Sequence, residues 1–188
     1  MKKIASTLPN MLLSLTLIAV ISAALLAVVK TITDEPIRLA EEKKQTEALQ
    51  QVLPTFDKIE KKDDEDGVVY KAYQNNQWVG TAVQCSTTGF SGDIVIMAGF
   101  NNQHQLVDYV VLQQSETPGL GTKMVDWFKN ALKGRIFTND LVKVKQDGGD
   151  VQAITAATIS SRAFLKAIND AYRIANGHDA TTGATDVN

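Results

Sequence analysis

A run of 26 consecutive uncharged residues, Ile4 to Val29, is bracketed by Lys2 and Lys3 before it and Lys30 after it. Its densest part, Met11 to Val29, is 19 residues long, close to the roughly 20 that a helix needs to cross about 30 Å of hydrocarbon. A single membrane span is expected. The alternative is a cleaved signal peptide, because Ile21 to Ala27 is rich in small residues; the apolar core of such a peptide is usually about 7 to 15 residues, and the longer run favours an anchor. Lys2 and Lys3 favour a cytoplasmic N-terminus, although Lys30 and Arg38 weaken the bias. The body of the protein is then expected outside the cytoplasm.

The rest of the 188 residues leaves room for one soluble domain with a sizeable core, since 44% of the chain is apolar. Outside the first 30 residues, 16 basic groups face 21 acidic ones. Nucleic-acid binding is therefore disfavoured, because a phosphate backbone calls for a basic face. Cys85 is the only cysteine, so neither an internal disulfide nor an iron–sulfur cluster can be built from this chain. His104 and His178 lie far apart and read as solvated loop residues, so no metal site is expected. Redox chemistry here would need an organic cofactor.

Asp34-Glu-Pro-Ile-Arg predicts the start of a charged helical stalk, with Pro36 in its first turn and Pro54 ending it after Val52. Asp63 to Gly67 reads as a turn or solvated loop. Strands are expected over Val68 to Gln74, Trp78 to Ser86, Asp93 to Phe100 and Gln105 to Leu112, with turns at Asn75-Asn76 and Asn101-Asn102. A loop then leads to a short helix whose Trp127, Phe128 and Leu132 are spaced to pack inward, and a further strand is expected around Leu141 to Lys145. The last helix is predicted over Ser160 to Ala175, with Ala163, Phe164, Ala167, Ile168, Ala171 and Ala175 on one face and Gly177 as its stop. The fold class is α+β: a single N-terminal transmembrane helix, then an antiparallel sheet with flanking helices. No Gly-rich dinucleotide or phosphate loop is present, so nicotinamide nucleotides and ATP are not expected as direct ligands.

Two segments carry the candidate chemistry: Glu116-Thr-Pro-Gly-Leu-Gly121, and Ala153-Ile-Thr-Ala-Ala-Thr-Ile-Ser-Ser161 before the last helix. The first can be a turn, and the second a strand end followed by a Ser160 or Ser161 helix cap. Gly119 and Gly121 would also let backbone approach a flat ligand, and hydroxyls at a helix N-terminus suit a phosphate.

Together with Gly89-Phe-Ser-Gly-Asp-Ile-Val-Ile-Met-Ala-Gly99, which looks like the sheet region, these segments resemble the RnfG/NqrC FMN-binding domain family, in which a threonine forms a phosphoester with FMN. With the N-terminal span, the similarity covers most of the chain. The resemblance implies that Thr158 holds the FMN phosphate through Oγ, with Thr155, Ser160 and the amides at the start of the last helix nearby. It also implies that Glu116, Thr117, Gly119, Leu120 and Gly121 frame the isoalloxazine ring, with Thr122 and Lys123 as polar neighbours. The family's attachment pattern is Asp-x-x-Ser/Thr-Gly-Ala-Thr. Here Gln152 stands at the Asp and Ala156 at the Gly, and a positive φ at that position would strain Ala156 by about 1 kcal/mol. A second copy, Asp179-Ala-Thr-Thr-Gly-Ala-Thr185, keeps both residues but has no helix after it, which favours Thr158.

The expected organisation is a cytoplasmic tip and anchor (1–30), a juxtamembrane helical stalk (31–54), the FMN-binding domain (55–177) and a flexible tail (178–188). The resemblance implies the electron-transfer G subunit of a membrane-bound Rnf-type oxidoreductase, single-pass in the inner membrane with its FMN domain periplasmic. Other subunits of the complex and a flavin transferase are the implied partners. The complex as a whole would be the translocase, with no independent activity or catalytic residue in this chain. The span has no ionisable residue, so it offers no ion path. Alternatives are the NqrC-type subunit of a sodium-pumping NADH:quinone reductase, with a longer chain in that family, a membrane-anchored flavin-sensing regulator, or an anchored module without flavin.

Overall fold

The computed structural model describes residues 7–64, 66–138 and 141–182, the side chains of 178–182 excepted. It divides into two compact units, Met1–Lys43 and Lys44–Asn188. The described part of the first is helical from Leu8 onward. No break separates a span from a stalk, because one helix, α1 (Leu8–Val52), runs through with Pro36 inside it. The proline removes a single backbone donor, the one aimed at Ile32, and the Arg38–Glu42 pair at 2.7 Å supports the following turn. Ser14, Thr16, Thr31 and Thr33 donate their hydroxyls to carbonyls three or four residues earlier. For Ser14 and Thr16, inside the apolar run, such closure suits hydrocarbon, where no water can satisfy a polar atom, and α1 is long and apolar enough to cross a membrane.

The second unit is built on an antiparallel meander of five strands in sequence order: β1 (Lys58–Asp64), β2 (Gly67–Gln74), β3 (Gln77–Thr88), β4 (Asp93–Asn101) and β5 (Leu106–Gln113). Asn75 and Asn76 both have positive φ, 50° and 64°, as a two-residue hairpin turn requires. At the β4–β5 turn the positive φ falls instead on His104, while the Asn101 Oδ1 accepts from the amides of Gln103 and Gln105. β1 lies where no strand was expected, and its last two residues, Asp63 and Asp64, fall in the segment read as a turn or solvated loop. Its sequence, Lys-Ile-Glu-Lys-Lys-Asp-Asp, has one apolar residue and is almost wholly exposed, and its charges suit an edge strand that must not pair with another chain.

Both faces of the sheet are covered. One face buries Val69, Val83, Cys85, Ile94, Ile96, Ala98 and Phe100 against α4 (Thr158–Thr182) and the segment before it. The other buries Tyr70, Ala72, Ala82 and Met97 under Ala48, Val52 and Leu53 at the C-terminal end of α1. Alternate residues of the central strands therefore serve two cores. All six residues assigned to the buried face of the last helix are buried, but α4 begins at Thr158 and continues past Gly177.

Two short helices follow β5: α2 (Met124–Trp127) and α3 (Lys129–Leu132). Phe128 and Leu132 pack inward, while Trp127 stays 42% exposed and donates its indole N–H to the Gln152 carbonyl at 2.9 Å; Met124 fills the inner position. Asp108 on β5 is buried beneath this segment, with Lys129 and Lys133 on its two oxygens. Burial would raise this carboxyl, but the hydrogen bonds from Lys129, the Tyr109 amide and Lys133 outweigh it and hold it below the usual carboxylate range.

The strand expected around Leu141 to Lys145 does not form; Val144 makes one parallel bridge to Val151. The cause is visible at Val142, whose N–H and carbonyl both pair with the Asn169 side chain, at 3.0 and 2.9 Å. An amide from α4 thus takes the place of a neighbouring strand.

Candidate functional site

The turn entering α4 organises the site. Ala157 N donates to Ile154 O at 3.0 Å, leaving Thr155 and Ala156 as the central turn residues, and Ala156 has φ 60°. That is the position of a type II turn where glycine is favoured. Ser161 does not cap the helix from outside. It lies one turn in, where its hydroxyl accepts from Ile154 N at 2.9 Å and donates to Ala157 O at 2.9 Å, pinning the turn to the helix. Ala156→Gly is accordingly expected to stabilise the domain by about 1 kcal/mol, read as a higher urea midpoint from the fluorescence of Trp78 and Trp127. A lower midpoint would show that the turn carries no strain.

The turn, the first turn of α4 and the Glu116 to Gly121 loop together line a cavity of about 490 Å³, with Phe90 on the remaining side. Glu116, Thr117, Leu120, Gly121, Thr158 and Ser160 are thereby brought together across more than 30 residues of sequence. Thr158 is half-buried at the first position of α4. Gly119, Thr122, Lys123 and Thr155 do not line the cavity. Gly119 has φ 74° and its N–H donates to Thr122 Oγ1 at 3.0 Å, so these two shape the loop from behind. Lys123 and Thr155 are exposed beside it. Thr185 lies outside the described residues.

Glu116 is 4% exposed. Its Oε1 accepts from the amides of Phe90 and Ser91, at 2.7 and 3.1 Å, and its Oε2 from the Ser160 hydroxyl at 2.6 Å. A Cβ on Gly121 would stand 2.8 Å from Oε2 and 2.9 Å from Ser160 Oγ, so only glycine admits this approach. At the mouth, Phe90, Leu120 and Ile159 are exposed by 65%, 36% and 55%, an apolar rim around a polar floor. Phe90 and Ile159 were not among the expected site residues. Phe90, a lone aromatic in Gly-Phe-Ser-Gly, is a signal that could have found one of them.

The chemistry available is restricted. Among the described residues no group of three or more His, Cys, Asp or Glu could hold a metal ion. Cys85 is buried beneath α4, and desolvation pushes its thiol up to about 12, which leaves it protonated and unreactive. What the cavity can do is receive an anionic group at the start of a helix, where the first amides have no partner within the helix, beside a flat apolar rim. A flavin phosphate and ring fit those two halves.

The FMN-binding domain family matches residues 89–173, which include every cavity-lining residue. Over its length the chain is similar to the G subunit of the ion-translocating oxidoreductase complex of Vibrio parahaemolyticus, 30% identical across 87% of each chain. It is 33% identical to the protein of the same name from Stutzerimonas stutzeri, over 83% of this chain and 75% of that one. Against the G subunit of the Na(+)-translocating ferredoxin:NAD(+) oxidoreductase complex of Acetobacterium woodii it is 27% identical, over 86% and 88%. A matching FMN-binding domain and identity at this level along most of the chain place it in one family: it belongs to the G subunits of ion-translocating oxidoreductase complexes.

Proposed function

We propose that this chain is an electron-transfer subunit that carries FMN covalently on Thr158, within a membrane-bound complex that couples electron transfer to ion movement. The observation that carries the reading is the position of Thr158, at the first residue of α4 and on the wall of the cavity shared with the Glu116 to Gly121 loop. A phosphoester through Thr158 Oγ leaves one negative charge on the phosphate, and the unpartnered amides and dipole of the helix start favour that charge. Thr155 and Ser160 flank the attachment point. Thr117, Leu120 and Gly121, with Phe90 and Ile159, line the cavity and would hold the ring.

When bound, FMN supplies the electron chemistry, taking up and releasing electrons one at a time; the protein sets its reach and surroundings. No side chain is required as acid, base or nucleophile, and ion coupling belongs to the assembled complex. A covalent tether suits a carrier outside the cytoplasm, where lost flavin could not readily be replaced. On this reading α1 anchors the chain in the inner membrane, the domain faces the periplasm, other subunits of the complex are its redox partners, and a flavin transferase loads it.

The test is ultraviolet fluorescence of the full-length protein on a denaturing gel after co-expression with a flavin transferase. The wild type and Thr185→Val are expected to show a fluorescent band, and Thr158→Val none. Loss with Thr185→Val alone would move the attachment to the tail, and a dark wild type would remove the covalent reading altogether.

A further inference from the structure

Glu116 belongs to the segment expected to frame the flavin ring, yet both of its carboxylate oxygens are engaged inside the protein. Its three donors come from two other parts of the chain, the Gly89 to Gly92 loop between β3 and β4 and the first turn of α4, so that with its own loop three segments meet at one carboxylate. Gly89 and Gly121 press against it from either side, and a Cβ on either would collide with its oxygens. The residue after Gly89 is the exposed Phe90 at one lip of the cavity, and the residue before Ser160 is Ile159 at the other.

We propose that Glu116 is a positioning residue of the flavin site: its carboxylate ties the Phe90 lip to the Thr158 helix and places a fixed negative charge at the floor of the cavity. The inference rests on the reading that flavin is carried on Thr158. Without the carboxylate, the buried Ser160 hydroxyl and two part-buried amides lose their acceptor, which is costliest for the hydroxyl, and the two lips are no longer held at one spacing. The charge acts separately. Reduction adds electrons to the flavin, and a buried carboxylate close by opposes this more strongly than one in water would, so the midpoint potential is held down.

Two variants separate the tie from the charge. Glu116→Ala in the full-length protein, co-expressed with a flavin transferase, is expected to reduce covalent flavin by roughly tenfold. Glu116→Gln keeps an acceptor for Phe90 and Ser91 and can donate to Ser160 Oγ, so it is expected to retain the flavin band while its midpoint potential moves positive. Ser160→Ala guards against simple unfolding, because it leaves the carboxylate and both amide bonds in place and cuts only the link to α4; its flavin band is expected to fall while its thermal midpoint stays near wild type. Hydrogen exchange at the Phe90 and Ser91 amides, measured in the Thr158→Val background, should quicken when Glu116→Ala is added. A wild-type band in Glu116→Ala, or an unchanged potential in Glu116→Gln, overturns the proposal. A wild type without flavin would sink the flavin reading instead, and the exchange measurement would still decide whether Glu116 ties the two loops.

Discussion

Gly99→Ala is expected to cost the sheet domain about 3 kcal/mol, at the upper end of what overpacking does. Gly99 lies on β4, paired with Ala82 on β3 and Asp108 on β5, on the face covered by the end of α1. A Cβ there would fall on the backbone carbonyl of Val52, the last residue of α1, which is fully buried. A flexible side chain could swing away from a new methyl group, but a carbonyl fixed at a helix terminus cannot. Either β4 distorts, with strands on both sides resisting, or the Ala48–Val52–Leu53 contact lifts from Tyr70, Ala72, Ala82 and Met97. Urea unfolding of the full-length chain in detergent, followed by Trp78 and Trp127, measures the loss. Gly177→Ala is the control of opposite sign, since nothing lies within 4 Å of its added Cβ and alanine is favoured over glycine in a helix by about 1 kcal/mol. An unchanged midpoint for Gly99→Ala would mean that the end of α1 is not held against the sheet.

Gly99 also shows where reading the sequence stops. The four strands β2 to β5, the amphipathic last helix and the apolar N-terminal run were legible because each carries a periodicity or a length with one physical meaning. β1 was not, since a strand of charged residues takes its hydrogen bonds from β2 and leaves no apolar imprint. The expected strand near Leu141 failed for the reverse reason: its residues favour extended backbone, but Asn169 satisfies Val142 before any strand can. Pro36 looked like a boundary, yet a helix already continuous on both sides tolerates one missing donor.

At the cavity, residue type foretold more than residue role. The departure at Ala156 pointed to a strained backbone, and its φ is 60°. Glu116 could be singled out only as part of a loop. That its oxygens face Phe90, Ser91 and Ser160 depends on contacts 25 to 44 residues apart, which no local pattern encodes. Phe90 and Ile159 were missed for different reasons: Phe90 lies in the Gly89 to Gly99 segment that looks like the family's sheet region, and Ile159 stands just before the helix expected from Ser160, whereas α4 begins at Thr158.

Phe164→Ala should be the most damaging truncation, at about 3–5 kcal/mol. The ring is fully buried, stacked on Phe128 at 4.9 Å and 9°, and met edge-on by Tyr109 at 4.8 Å and 62°. It therefore joins α4 to β5 and to the junction of α2 and α3. Aromatic pairs of this geometry add about 0.5–1.5 kcal/mol beyond the area they bury, and collapse into the gap is hindered because Tyr109 is itself fixed, its hydroxyl donating to Met124 O at 2.9 Å. Phe164 stands one helical turn after Ser160, so the loss should reach the cavity: the covalent flavin band is expected to fall together with the urea midpoint. Phe164→Leu, which keeps most of the volume but no ring, should cost less than half as much. If alanine and leucine cost the same, the ring contacts and not the filled volume hold α4 in place; if stability falls while flavin loading does not, the first turn of α4 keeps its geometry independently of the core beneath it.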